Sequence, residues 1–301
     1  MPMPDPERDP QSGPVTVSSG PLTATFRPDH GGRMTCLLHT ELGDILVPTP
    51  NAVFASGVAP FDWPRSGAYP LFPYHNRLIG SAFTHEGRLH HVTPHPSLGS
   101  DAMHGPAHRR PWHVVSQTED AISLAIDYVA DDEWPFDFRA TQNFHLGPDR
   151  LEITLTLANT GHQTMPGGMG WHPYFRIGYG REIIPGARRE WPLDALSVPT
   201  GVSPVPRDPQ CPLPDAIFTI HLSEWDTATA VTDGGARLTL SADPGLTHLA
   251  AHRMPTYACL EPVSHVAGAL GFGENARMSA GLVTLTPGAA ISASLRLAIA
   301  V

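Results

Sequence analysis

Four short stretches of this 301-residue chain set a titratable side chain among proline, glycine or aromatic residues, surroundings that can tune its pKa. In Leu71-Phe72-Pro73-Tyr74-His75-Asn76-Arg77-Leu78-Ile79-Gly80 the pair Asn76-Arg77 lies between apolar flanks. An arginine so placed either pairs with a buried carboxylate or points its planar fork at ligand oxygens. In Asp101-Ala102-Met103-His104-Gly105 the glycine is expected to let the chain turn sharply and leave the imidazole accessible, unless His104 is a structural histidine. In Gly167-Gly168-Met169-Gly170-Trp171-His172-Pro173-Tyr174-Phe175, Pro173 keeps His172 out of helical geometry. Trp171, Tyr174 and Phe175 can lower the dielectric around it, or His172 is simply a core residue among aromatics. Tyr257-Ala258-Cys259-Leu260-Glu261-Pro262 ends an apolar run with a carboxylate, either salt-bridged or a base with raised pKa. Arg77 as its partner would suit both readings.

A carboxylate, two imidazoles and an arginine suit proton transfer at two oxygens. A nucleophile is not evident, because GxSxG and a plain Cys/His setting are both missing. GxGxxG is missing too, which argues against a dinucleotide, and no cofactor is expected. The 17 histidines are densest at His85, His90, His91, His95, His104, His108 and His113, so a metal must be weighed. His90 and His91 would face opposite sides of a strand. Gly105 and Pro106 break any helix joining His104 to His108, and no HExxH occurs. The expectation is therefore no metal and solvated loop histidines.

Composition removes whole classes of chemistry. All 19 basic residues are arginine, which excludes Schiff-base and pyridoxal-lysine catalysis and a phosphate-loop lysine. With 29 acidic residues the formal charge is −10, which speaks against nucleic acid or an anionic membrane as partner. Cys36, Cys211 and Cys259 are too scattered for a disulfide framework or a CxxC site. Together with an N-terminus lacking an apolar h-region, they suggest a cytoplasmic location. No apolar run approaches the length of a membrane span. The sequence is compatible with a monomer or a homodimer.

The elements that must position these side chains read as strands. Leu151, Ile153, Leu155 and Leu157 alternate with polar residues, and so do Ile122, Leu124, Ile126 and Tyr128. Phe136, Phe138, Ala140 and Phe144 line another face, as do Ile291, Leu295, Leu297, Ile299 and Val301. Period-two alternation is what a half-buried strand requires. Convincing helical periodicity is absent, so the sheets should be antiparallel. The expectation is an all-β chain: a disordered start over 1–13, then one large antiparallel β-sandwich domain over 14–301. Segment 178–215, rich in proline, glycine and arginine, reads as a long excursion of the functional kind.

In order along the chain, FPYHNRLIGSAFTHEGR, MHG, GMGWHPYFRI and YACLEP resemble the aldose 1-epimerases, or galactose mutarotases. The resemblance runs from about Phe26 to the C-terminus. It implies a β-supersandwich with an open sugar cleft, a small-molecule sugar as substrate, and interconversion of α and β anomers through the open-chain aldehyde. Carried across, Glu261 matches the base at the C1 hydroxyl and His172 the acid at the ring oxygen. Arg77 and His104 match residues that hold sugar oxygens, with Asn76 beside them. Asp215 is the best match for a sugar-binding Asp, with Asp194 and Asp226 nearby, and Trp171 is a candidate stacking wall. Pro262 departs from the Gln that often follows the base, and His75 from the Pro that often precedes Asn-Arg. These departures, with Trp63, Arg65 and Asp62, point to a divergent branch. Arg65, Arg109 and Arg110 raise a sugar phosphate as an alternative substrate, with Arg109 and Arg110 otherwise expected to be solvated. The same residues are also compatible with a non-catalytic sugar-binding protein, and the histidines with a metal-dependent cupin-like barrel. The mechanism asks for ionised Glu261 and protonated His172, about 5–8 Å apart across one ring.

Overall fold

The computed structural model describes residues 13–55 and 61–301, with only the backbone of 274 and 275. The stretch expected to be disordered lies, apart from Gly13, outside the described residues. Every strand pairing among them is antiparallel, and the two α-helical segments, Asn51–Ala55 and Glu274–Ser279, are short. No helix among them is long and apolar enough to cross a membrane.

Two large sheets pack on a shared core. One has eight strands, with Phe138–Gly147, Arg150–Asn159 and Ala290–Ala300 at its centre. Leu151, Ile153, Leu155 and Leu157 point inward from it and are at most 1% exposed, as their alternation requires. Ile122, Leu124, Ile126, Tyr128, Phe136, Phe138, Ala140 and Phe144 are buried in the same core. Val301 lies past the last strand and is exposed, so it does not share the face of Ile299. The other sheet has eleven strands. Its middle runs Ala68–Leu71, Gly170–Pro173, Tyr257–Val263, His248–Met254 and Phe218–Trp225. The first three of these strands are buried along their whole length, because one face meets the core and the other carries the side chains described below.

Segment 178–215 is not a free excursion. Ile183–Ile184 extends the eight-stranded sheet, while Ala187–Glu190 and Val205–Pro206 extend the other. A proline- and glycine-rich composition marks short strands and tight turns here, which looks the same in sequence as a loop.

Histidines depart most from expectation. His85, His90, His95, His104 and His108 are buried, while His91 is exposed, its neighbour His90 having turned inward. Their rings pack on aromatics: His90 stacks on Phe83 at 5.3 Å, and His108 on Tyr69 at 5.1 Å. A neutral imidazole fills such a site much as a phenyl ring does. A second group gathers around His221, which lies opposite Ala250 in the eleven-stranded sheet. There His75 reaches the His265 carbonyl at 2.7 Å, and the His75 ring lies 4.7 Å from His265 and 6.4 Å from His221. His75 is thereby a structural group.

Burial holds His265 down to about 3, His221 and His248 to about 4, and His75 well below its ordinary 6.5. Unfolding frees all four to take up protons below about 6.5, so the unfolded state binds more protons there and stability is lost as the pH falls. Thermal unfolding followed by circular dichroism should show a midpoint that is flat above about pH 7 and drops steeply between about pH 6.5 and 4. A midpoint unchanged down to pH 5 would contradict the buried neutral cluster.

Candidate active site

The cleft follows from strand register. Gly170 faces Val263 across the antiparallel pair, and two steps further His172 faces Glu261. On the other side Tyr69 faces His172, while Ala250 faces Glu261 from the next strand. Opposed residues share a face, so Tyr69, His172, Glu261 and Ala250 form one row. Gly170 permits the close pairing, since a Cβ there would meet Val263 Cγ1 at 2.5 Å. The Ala250 side chain leaves room beside Glu261. The resulting inner lobe, about 250 Å³, is lined by Glu261, His172, His104, Asn76, Thr219 and His252 among others.

His172 Nε2 stands 3.3 Å from Glu261 Oε1, and the two side chains are 9% and 5% exposed at the floor of the cleft. The spacing is shorter than the ring-wide gap expected. The reason lies in the register: the two residues stand at opposed positions of adjacent strands, which brings their side chains into contact. The His172 ring sits between Tyr69, with centroids 4.5 Å apart, and Tyr174 at 4.8 Å. Burial pushes Glu261 up to about 8 and His172 well below its ordinary value. Both shifts run towards the neutral forms, whereas the mechanism expected from the sequence asks for an ionised Glu261 and a protonated His172. Glu261 Oε2 and His172 Nδ1 are buried and have no protein partner.

Asn76 and His104 hold each other. The Asn76 N–H donates to His104 Nδ1 at 2.9 Å, and the His104 N–H donates to the Asn76 carbonyl at 2.8 Å. Both backbones are left-handed, with φ of 60° and 53°, a conformation that surrounding contacts must maintain. With Nδ1 accepting, neutral His104 carries its proton on Nε2. Gly105 is needed for packing rather than for a turn, because a Cβ there would lie 1.8 Å from the Phe72 carbonyl oxygen.

Three expected site residues fall outside the cleft lining. Trp171 is 0% exposed and joins the core with Phe175, because alternate residues of its strand face opposite ways and His172 takes the cleft side. It cannot be a stacking wall there; Tyr174 lies against the imidazole as expected, and Tyr69 takes the place expected of Trp171 and Phe175. Asp215 is half exposed and pairs with Arg253 at 2.8 Å, while its carboxylate accepts from the Gly180 N–H. The nearby aspartates are also engaged, Asp226 by Arg188 and Asp194 by the Leu196 and Val198 N–H groups. Arg77 pairs with Asp101 at 3.0 Å, not with Glu261, and braces the loop holding Asn76. Arg109 and Arg110 are not solvated and unpaired either; they bind Glu133 and Asp131.

Sequence patterns gave no sign of Tyr69, Thr219, His252 or Ala250, which reach the cleft only through pairing. Thr219 Oγ1 lies 2.9 Å from His252 Nδ1 and fixes that ring on the far wall. Pro262 faces away from Glu261 along the strand and sits opposite Leu249, so its departure does not enter the cleft. One group among the described residues brings three metal-type donors together: His172, Cys259 and Glu261, within 4.8 Å of one another. The Cys259 thiol is fully buried, which pushes it well above its ordinary value.

A family model described as aldose 1-epimerase matches residues 22–243. An uncharacterised Escherichia coli K12 protein, YphB, is 33% identical over 112 residues, which span 37% of this chain and 38% of that protein. Over nearly the whole length the fold is similar to that of an Escherichia coli K12 protein, with a TM-score of 0.80, 24% identity, and 96% and 99% of the two chains covered. It is also similar to a galactose mutarotase-like protein of Clostridium acetobutylicum, with a TM-score of 0.81, 19% identity and 95% of each chain covered.

Burial holds His104 at about 3. Nitrogen-15 NMR should find it as the Nε2–H tautomer and unchanged between pH 5 and 8. Titration near pH 6.5 would show that the Asn76 clasp does not exist in solution.

Proposed function

Since the chain belongs to the aldose 1-epimerase family, we propose that the cleft interconverts the α and β anomers of an aldose by acid–base ring opening, with no cofactor. The contact between His172 and Glu261 on the cleft floor carries this reading, because the reaction needs one proton taken and one given at two oxygens of a single carbon. Glu261 removes the proton from the C1 hydroxyl. The C1–O5 bond breaks, C1 becomes the aldehyde, and His172 delivers a proton to O5. Rotation about C1–C2 turns the other carbonyl face to the ring hydroxyl. Reclosure returns the first proton to the new C1 oxygen and takes the second back to His172.

A protonated carboxyl and a neutral imidazole, the forms that burial favours, are the arrangement that ring opening leaves behind. A bound sugar reverses it. Its hydroxyls donate to a carboxyl with an unused oxygen, which favours the ionised form, and its ring oxygen accepts from His172 Nε2–H, which favours the imidazolium. His104 donates from Nε2 to a further sugar oxygen, and the Asn76 side chain lies beside it. Arg77 supports these two through Asp101 and the loop rather than by touching the sugar.

Glu261→Gln and His172→Asn should each lower the rate of anomer exchange by about 10²–10⁴-fold, measured by polarimetry on a fresh single anomer. Glu261→Gln should melt no lower than the parent at pH 8, since it removes a carboxyl whose ionisation is disfavoured by burial. Full activity in either variant would overturn that residue's role.

The active cleft holds one proton on the pair. Raising the pH through the Glu261 value of about 8 removes it; a second proton arrives only when buried His172 titrates, well below 6.5. The value of kcat/KM should therefore be level between about pH 6.5 and 7.5 and fall above about 8, the apparent values belonging to the pair. Loss of activity centred on pH 6.5 would contradict the buried pair.

A further inference from the structure

The cleft floor carries a third donor that the proposed proton transfer does not use. Cys259 stands two residues before Glu261 on Tyr257–Val263, so the two side chains share a face. His172 meets Glu261 from the neighbouring strand. One donor atom each from His172, Cys259 and Glu261 lie within 4.8 Å of one another, and all three residues are buried.

These distances suit a tetrahedral ion. Zinc bonds to nitrogen and oxygen of about 2.0–2.2 Å set those two atoms about 3.4 Å apart. His172 Nε2 and Glu261 Oε1 are 3.3 Å apart. Glu261 Oε2 is buried without a protein partner, an acceptor that a cation satisfies. Imidazole nitrogen, thiolate sulfur and carboxylate oxygen together select zinc over calcium or magnesium, which take oxygen donors. The charges close as well. One thiolate and one carboxylate cancel the two charges of the ion, so a neutral unit forms where a lone charge would be unfavourable. Tyr69, Leu71 and Tyr174 pack with Cys259 and shield it on one side. On the other side the inner lobe of about 250 Å³ reaches His172 and Glu261. Three protein ligands and one position open to solvent make a complete four-coordinate zinc site.

We propose that the cleft floor is an inhibitory zinc site, with His172, Cys259 and Glu261 as ligands and a water from the inner lobe as the fourth. Hydrated zinc gives up its other waters as the Zn–N, Zn–S and Zn–O bonds form. The Cys259 thiol proton and any proton on the Glu261 carboxyl pass to solvent, and no oxidation state changes. With His172 and Glu261 committed to the ion, neither moves a proton at a sugar. What zinc inhibits rests on the epimerase reading; the site itself does not.

The test uses the full chain, freed of metal by a chelator that is then removed. Zinc chloride titrated by calorimetry should bind as one tight equivalent, and Cys259→Ser should weaken it by about 100-fold or more. Cobalt(II) in place of zinc should give a thiolate-to-metal charge-transfer band that is lost in Cys259→Ser and kept in Cys36→Ser and Cys211→Ser, the other two cysteines. Saturating zinc should slow anomer exchange of glucose and galactose by about 10²-fold or more, followed by polarimetry, and chelator should restore the rate. Cys259→Ser, compared with its own zinc-free rate, should need about 100-fold more zinc for the same slowing. If Cys259→Ser does not fold, Glu261→Gln takes its place in the calorimetry with the same loss expected. The site is overturned if the parent binds no tight equivalent, or if that equivalent survives in both variants. Zinc bound there with exchange at full rate overturns the inhibition. If neither sugar is turned over, the epimerase reading fails, and calorimetry and the cobalt band still decide the site.

Discussion

One antiparallel register fixes the chemistry of this protein. The strand Gly170–Pro173 lies against Tyr257–Val263 with Gly170 opposite Val263, and that alignment sets His172 opposite Glu261. A slip of one residue would turn one of the two into the core, because side chains alternate with a period of two. The register is locked by the sheet on both sides: Tyr69 is held opposite His172 and Ala250 opposite Glu261. The proposed catalytic pair is thus a cross-strand pair on two strands buried along their whole length, not a pair of loop residues.

That placement has an electrostatic consequence. The two side chains are almost fully buried and two aromatic rings cover the imidazole, so neither group holds its charge easily. Burying polar atoms without partners is unfavourable, and Glu261 Oε2 and His172 Nδ1 are both buried and unpartnered. The rest of the fold offsets this through a large shared core. In the proposed reaction the sugar supplies what the protein withholds, and the charged pair forms only when there is a ring to open. The loops that carry Asn76 and His104 add a second rigid wall, kept in left-handed backbone by two reciprocal hydrogen bonds.

Much of the fold was legible because alternation is a local signal: the runs at 122–128 and 151–157 bury the face they advertise. The order of the four motifs was legible too, and their residues Asn76, His104, His172 and Glu261 meet in one cleft. What a strand turns toward the cleft depends on parity, which Gly170-Trp171-His172-Pro173 does not reveal until its neighbour is known; hence Trp171 read as a wall and is core. Partners of charged residues are equally non-local. Arg77 with Asp101, Asp215 with Arg253 and Arg109 with Glu133 lie far apart in sequence, and polarity alone gives each an exposed or ligand-binding look. Histidine carries the same ambiguity, since a neutral ring packs like an aromatic one.

The central claim is that His172 and Glu261 act as one unit at one carbon. The direct measurement is anomer exchange of a C1-labelled aldose by NMR in Glu261→Gln, His172→Asn and the double variant. If a single proton circulates through both side chains, removing either stops it, and the double variant should be about as slow as the slower single one. Losses that multiply would mean that the two groups work independently, and the paired mechanism would fall.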